Sequence, residues 1–369
     1  MKSFIFRMRF HLLVPIICCH LISNAQNTVC FTIENNPNSN VSGLGLFTKY
    51  VNVLDCFSIY AESSIPDTKV LHAAAVAAEL LDNDENGFVD DEVLKTALQA
   101  SDALIPIFSQ ENSNAENTFF NQYNGEGAAA VLYNNEMNPI QTGYWGSDAT
   151  VEEVIHVINA VGHTSIYPNA FSIEPNSSLM SEAMDVARGG QFINIPNPYP
   201  NSAWYHYDDE TCDYGCMAIE YMYWSIVSWM GILNDPSTCN GIANEWEPCS
   251  PSLFQSTDVL MHTLITDPQY QLPQLAPDGN YCPQNSGIEF TDGFKKIRVF
   301  PNYSDHVIHI ENMKGNNTIS LKDATGRLIY AQKTTNQDLT LDVSMYHSGQ
   351  YILLIERGSN HSNHKIIIR

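Results

Sequence analysis

The chain has 369 residues, is 44% hydrophobic and carries a formal net charge of −24. That is enough apolar side chain for more than one core, and the wrong sign for a phosphate backbone, so a nucleic-acid partner is not expected. The charge is uneven: residues 1–25 sum to +3, residues 26–294 to −31 and residues 295–369 to +4. Such asymmetry predicts separate units, and the surplus carboxylates serve either solubility or hard cations such as calcium.

The chain opens on Lys2, Arg7 and Arg9, followed by an apolar run from Leu12 to Ile22 and the small-residue stretch Ser23-Asn24-Ala25. This order predicts a secretory signal peptide over residues 1–25, cleaved after Ala25. The apolar run is too short to span a bilayer, and no later segment is long and apolar enough, so the mature chain is expected to lack a transmembrane segment. Seven cysteines then remain, and an exported chain is expected to use them mainly as disulfides. Cys30 with Cys56 and Cys239 with Cys249 are near neighbours in sequence, while Cys212, Cys216 and Cys282 leave one thiol over. Spacing does not decide the connectivity.

Helical periodicity begins at Asp67, a candidate N-cap, and runs to Leu81. A polar loop precedes a second helix, "DEVLKTALQAS". Residues 112–148 read as irregular. Helices are predicted over residues 149–162, over "SSLMSEAMDVARGG" with a stop at Gly189-Gly190, and over "CDYGCMAIEYMYWSIVSWMGIL". The last of these is apolar nearly all round and so should be buried. A final helix is predicted over residues 256–266. The expected fold class is therefore multidomain. A mainly α-helical body (α or α+β) covers 26–273, a turn-rich linker covers 274–294, and a small antiparallel β-sandwich covers 295–369.

The predicted strands of that last unit carry a set of motifs. These are Val299-Phe300-Pro301-Asn302, Asp323-Ala-Thr-Gly326, Gly349-Gln-Tyr351 and the basic final run Lys365-Ile-Ile-Ile-Arg369. In this order they resemble the C-terminal sorting domain of type IX secretion cargo, with Tyr303 in place of the family's second proline. The resemblance implies a partner, the type IX secretion machinery. It also implies export through the periplasm and outer membrane of a Bacteroidetes-type cell, to a secreted or cell-surface location. It implies nothing about what the body does.

Within the body, "LLDNDENGFVDDEV" spaces Asp82, Asp84 and Asn86 by two and follows them with Gly87. This resembles an EF-hand calcium loop: alternate side-chain oxygens converge on one ion, and glycine supplies the positive φ of the turn. Phe88 would offer its carbonyl, and Asp90 fits the ninth position. The twelfth position holds Val93 instead of a bidentate glutamate, so Glu92 or Asp91 would have to serve through a shortened exit. Weak calcium binding in a clip between two helices is the expected outcome; an acidic turn without an ion is the plain alternative.

The helix "DATVEEVIHVINAVGH" places Glu152 and Glu153 one turn before His156. It resembles, at a distance, the zincin pattern His-Glu-x-x-His, with Glu152 where the first histidine should stand. The resemblance implies Glu153 as general base, with Glu152, His156 and Glu220, from a later helix, holding zinc. His163 is a further candidate ligand, and Tyr207 or Tyr221 a candidate oxyanion donor. The plain alternative is an acidic helix start complementing the dipole, with Arg188 pairing with Glu220, Asp213 or Glu153. Two catalytic carboxylates of a glycosidase remain open, since no local pattern selects a pair. The expectation is thus a secreted calcium-binding protein whose body carries a degenerate zincin-like hydrolase site. Its alternative is a non-catalytic extracellular or cell-surface calcium-binding or adhesion protein. The substrate or ligand does not follow from the sequence.

Overall fold

The computed structural model describes residues 30–140, 148–283, 297–300, 303–304, 306–323, 326–358 and 360–368. The signal peptide, most of the predicted linker, and Pro301, Asn302 and Arg369 of the sorting motifs lie outside the described residues. The body opens with β1 (Glu34–Asn35), β2 (Lys49–Val53), β3 (Phe57–Ala61), α1 (Asp67–Leu81), α2 (Glu92–Ala100), β4 (Leu104–Phe108), α3 (Asn114–Gln122) and β5 (Leu132–Tyr133). It continues with α4 (Thr150–Val157), a π-helical segment (Ile158–His163), α5 (Thr164–Ile166), α6 (Pro168–Phe171) and α7 (Leu179–Ala187). It ends with α8 (Tyr214–Trp229), α9 (Pro236–Ile242), α10 (Pro251–Thr257) and α11 (Val259–Ile265).

The helix-rich body also contains a mixed sheet in the order β1-β2-β3-β4-β5, antiparallel through β3 and parallel from β3 to β5. Its strand β4, Leu-Ile-Pro-Ile-Phe, is buried on both faces and so shows no alternation; parallel strands covered by helices read this way. Pro106 is tolerated there. The Leu104 N–H on the same side of the strand reaches Gly127 O, and β5 pairs only with Ile107 and Phe108. No ladder donor is lost beside Pro106.

Several helix boundaries differ from the periodicity. Asp67 is the first helical residue rather than the cap, and its carboxylate pairs with Lys49 Nζ at 2.6 Å. The long apolar helix is capped by Asp213, whose Oδ1 accepts from Cys216 N at 2.9 Å, while the Thr211 hydroxyl turns to Asp209 at 2.7 Å. The predicted final helix is two short ones, α10 and α11, broken at Asp258.

Beyond the body come β6 (Arg298–Phe300), β7 (Tyr303–Ser304), β8 (Val307–Glu311), β9 (Asn317–Asp323), β10 (Leu328–Thr334), β11 (Leu339–Asp342), β12 (Gly349–Arg357) and β13 (Asn360–Ile368). They form sheets of order β10-β9-β12-β13-β7 and β11-β8-β6, antiparallel except for the β13–β7 pair. Their core, including Ile308, Ile310, Leu321, Leu353 and Ile366, is separate from that of the body.

Disulfides join Cys30 to Cys282, Cys212 to Cys216 and Cys239 to Cys249, and among the described residues Cys56 is the free, buried thiol. Cys30 therefore pairs across the whole body and not with its neighbour Cys56. Residues 274–283, where a linker was expected to begin, are fastened to the body. Gln274 N donates to Asn83 Oδ1 at 2.8 Å, and Asn280 N to Glu79 Oε1 at 2.8 Å. Among the described residues no helix is long and apolar enough to cross a membrane.

Candidate metal centres

The loop after α1 is folded by its own carboxylates. Asp82 accepts from Asn86 N at 3.0 Å and from Gly87 N at 2.7 Å, and Asp84 accepts from Asn86 N at 3.1 Å. Asn86 Oδ1 accepts from Phe88 N at 3.0 Å, and Gly87 takes a φ of 93°. These local bonds bend the chain inward, so that one oxygen each of Asp82, Asp84 and Asp90 lies within 4.8 Å of the others. Burial, with Asp84 alongside, pushes the Asp82 carboxyl up to about 8. Burial also raises Asp90, with Asp84 and Asp82 adding repulsion. Two buried acids and a half-buried third that face one another are the electrostatic situation that a hard divalent ion relieves.

The expected exit ligands do not join this group. Asp91 caps α2, accepting from Val93 N at 2.8 Å, and its other oxygen accepts from the Tyr167 hydroxyl at 2.6 Å. Glu92 is exposed in the first turn of α2, and Phe88 is exposed at the loop tip. Tyr281, from the far end of the body, donates to Asp82 Oδ2 at 2.5 Å. No sequence pattern linked it to the loop.

The second cluster is built by α4 and α8. The start of α4 is fixed by Asp148, which accepts from the Thr150 hydroxyl at 2.5 Å and contacts His72 Nε2 of α1 at 2.8 Å. All three residues are buried. From this anchor α4 points His156 at α8, where Glu220 interrupts a run of apolar residues. His156 Nε2 lies 3.4 Å from Glu220 Oε2, and its Nδ1 lies 3.7 Å from Glu153 Oε2. Glu152, His156 and Glu220 each offer an atom within 4.8 Å of the others. Among the described residues, buried Nε2 of His156 has no hydrogen-bond partner.

Burial works against a charged His156 ring, but Glu220 and then Glu153 lift its pKa well above the ordinary range. Burial raises Glu152 to about 8, against the pull of His156. Tyr223 completes the wall: its ring stands edge-on to His156 at 5.4 Å between centroids. Tyr223 was not singled out from sequence, although it follows Glu220 by the i,i+3 step that shares a helix face.

Other candidates are placed elsewhere. His163 lies in the π-helical segment, where its Nδ1 contacts Asn159 Oδ1 at 2.9 Å and burial lowers its pKa to about 4. It is not part of the cluster. Tyr221 donates to Asp258 at 2.6 Å inside the core. Tyr207 is half-buried near the negative charges of Glu220 and Glu245. Among the described residues Arg188 forms no ion pair with Glu220, Asp213 or Glu153. Its Nη1 donates to Phe192 O at 2.6 Å, and its guanidinium lies over the rings of Phe192 and Tyr199.

The donor sets differ in kind. The loop offers hard carboxylate oxygens, which suit calcium. The α4–α8 cluster mixes imidazole and carboxylate, which suits zinc.

Residues 298–369 match the family model described as the secretion system C-terminal sorting domain. That domain marks the chain as secreted or surface-exposed and implies an interaction with the type IX secretion machinery. Comparison with curated proteins finds no match. Among solved structures, the chain is similar to PorZ, a surface component of the type IX secretion system of Porphyromonas gingivalis. The identity is 14% and the TM-score 0.20, over 21% of this chain and 12% of that one. It is also similar to a DUF3244-family protein with an immunoglobulin-like β-sandwich from Bacteroides vulgatus, at 20% identity and a TM-score of 0.19, over 20% of this chain and 83% of that one.

Proposed function

We propose that the chain is an extracellular or cell-surface calcium-binding protein, with a body from residue 26 through the fastened segment 274–283 and a sorting domain over 295–369. The calcium site is an EF-hand-like clip between α1 and α2. The observation that carries this reading is the convergence of Asp82, Asp84 and Asp90 on a loop already bent by its own side chains. Asn86 and the Phe88 carbonyl complete the oxygen set. Neither Asp91 nor Glu92 supports a twelfth-position ligand, so affinity belongs in the weak, extracellular range, about 10⁻⁴ to 10⁻³ M. Calorimetric calcium titration tests this: saturable one-site binding that is lost in Asp82→Asn supports it, and a flat titration of the native chain overturns it.

The meeting of Glu152, His156 and Glu220 favours a second reading, in which the body also holds zinc and works as a metal-dependent hydrolase. Zinc there would supply Lewis-acid chemistry. His156, Glu152 and Glu220 would hold it. Glu153 faces the other nitrogen of the His156 ring, a place that suits an orienting carboxylate better than a general base. Metal analysis of the purified chain tests the reading: about one equivalent of zinc, absent in His156→Ala, is the supporting result.

A further inference from the structure

One side of the proposed calcium loop is covered by the chain itself. The last strand of the sorting domain, β13, lies against it. Lys365 Nζ pairs with Glu85 Oε1 at 3.2 Å, and His364, itself buried, places Nδ1 3.7 Å from Asp84 Oδ2. Ile367, further along the same strand, packs against the core of the body. Ser362 holds the other ring nitrogen of His364, with Oγ 3.2 Å from Nε2. A cleft of about 450 Å³ runs along this junction, with Asp90, Glu92 and Phe88 on one side and Phe300 and Asn363 on the other.

The two oxygens of Asp84 have different tasks. Oδ1 accepts from Asn86 N and shapes the loop; Oδ2, the oxygen left for an ion, is the one facing His364. A basic strand and a divalent cation therefore address the same acidic face. Calcium would bring two positive charges to a loop whose negative charge now attracts Lys365 and whose Asp84 faces the His364 ring.

We propose that this loop is a docking surface for the chain's own last sorting strand, and that calcium and the strand compete for it. The proposal rests on the calcium reading above. Linkage makes the competition reciprocal: if calcium loosens β13, then loosening β13 must tighten calcium by the same factor. In calcium-poor surroundings the strand covers the loop. In calcium-rich surroundings the ion takes Asp84 and the sorting domain swings clear.

The test uses the full chain and the double variant His364→Ala/Lys365→Gln. Small-angle X-ray scattering is recorded in chelator and in about 10 mM calcium, above the weak-site range. Calorimetry gives the calcium affinity of both proteins. The expected result is a radius of gyration that rises with calcium and falls back with chelator. The double variant is expected to be extended without calcium and to bind it roughly three- to tenfold more tightly, as one modest ion pair and one imidazole–carboxylate contact allow. Calcium binding with an unchanged radius, or with equal affinity in the two proteins, overturns the competition alone. No calcium binding in either protein overturns the calcium reading and the competition together.

Discussion

His156 and Glu220, on different helices, meet at 3.4 Å inside the body, with Glu153 at the opposite ring nitrogen. A carboxylate, an imidazole and a second carboxylate in a row form the arrangement by which an outer group fixes the tautomer of a metal-binding histidine. Zinc affinity should therefore fall about 10- to 100-fold in Glu153→Gln and vanish in His156→Ala. Competition with a chromophoric chelator measures both. An unaltered zinc affinity in Glu153→Gln would return that residue to the role of base.

Calcium should stabilise the native chain. Ion at about 100 times its dissociation constant contributes about 2.7 kcal/mol, and at equal concentration only a few tenths. Thermal melts across a calcium series should follow that curve in the native protein and stay flat in Asp84→Ala. A comparable rise with magnesium would argue against a site of flexible oxygen geometry.

The pH dependence of the metal-free body should run opposite to ordinary acid denaturation. Burial raises Glu79 to about 8 and Glu136 and Glu245 to about 7. Each then binds a proton in the folded state at a pH where the unfolded chain, near 4.3, has lost it. The folded state holds more protons, so stability falls as pH rises from about 4.3 through 8. In chelator, the melting temperature should be higher at pH 5.5 than at pH 8, and Glu79→Gln should flatten part of the slope. A melting temperature that climbs steadily to pH 8 would contradict this.

Cys56 should be silent in the native protein. Its thiol is buried, and burial pushes its pKa up to about 12, so the reactive thiolate is scarce. The chain from residue 26 onward should show no reaction with an aromatic disulfide reagent until denaturant is added, and then one thiol. Fast native labelling would mean that one of the three pairs is open.

Close packing at the π-helical segment gives a fifth check. A Cβ on Gly162 would come within 2.3 Å of Leu94 Cδ1. Gly162→Ala should cost about 1–3 kcal/mol by crowding α2, despite alanine's better helix propensity. Urea melts of the metal-free protein would read this directly.

Much of this architecture is visible in the residues. The spacing of Val70, Ala73, Ala74 and Ala77 marks α1, and the apolar girth of α8 marks its burial. The alternation around Ile308 and Ile310 marks a strand with one face covered. The body's sheet is not visible, because Leu104–Phe108 is covered on both faces and carries no period to detect. The sites divide in the same way. Loop spacing nominates Asp82, Asp84 and Asp90, because their convergence is local. Glu152, His156 and Glu220 can each be picked out as unusual, yet their meeting depends on how α4 packs on α8. Asp91 shows the limit most plainly: nothing in the sequence says whether an acid after a loop will ligate an ion or cap the next helix.

The bridge from Cys30 to Cys282 spans 252 residues and brings the two ends of the body to a Cα separation of 4.8 Å. The body is thus a covalent ring with a single doorway. Tyr281, beside the bridge, carries the hydroxyl bound to Asp82. Severing the chain beyond Cys282 would detach the sorting domain and leave the ring closed. Opening the bridge itself would loosen the loop after α1 without altering any of its own carboxylates.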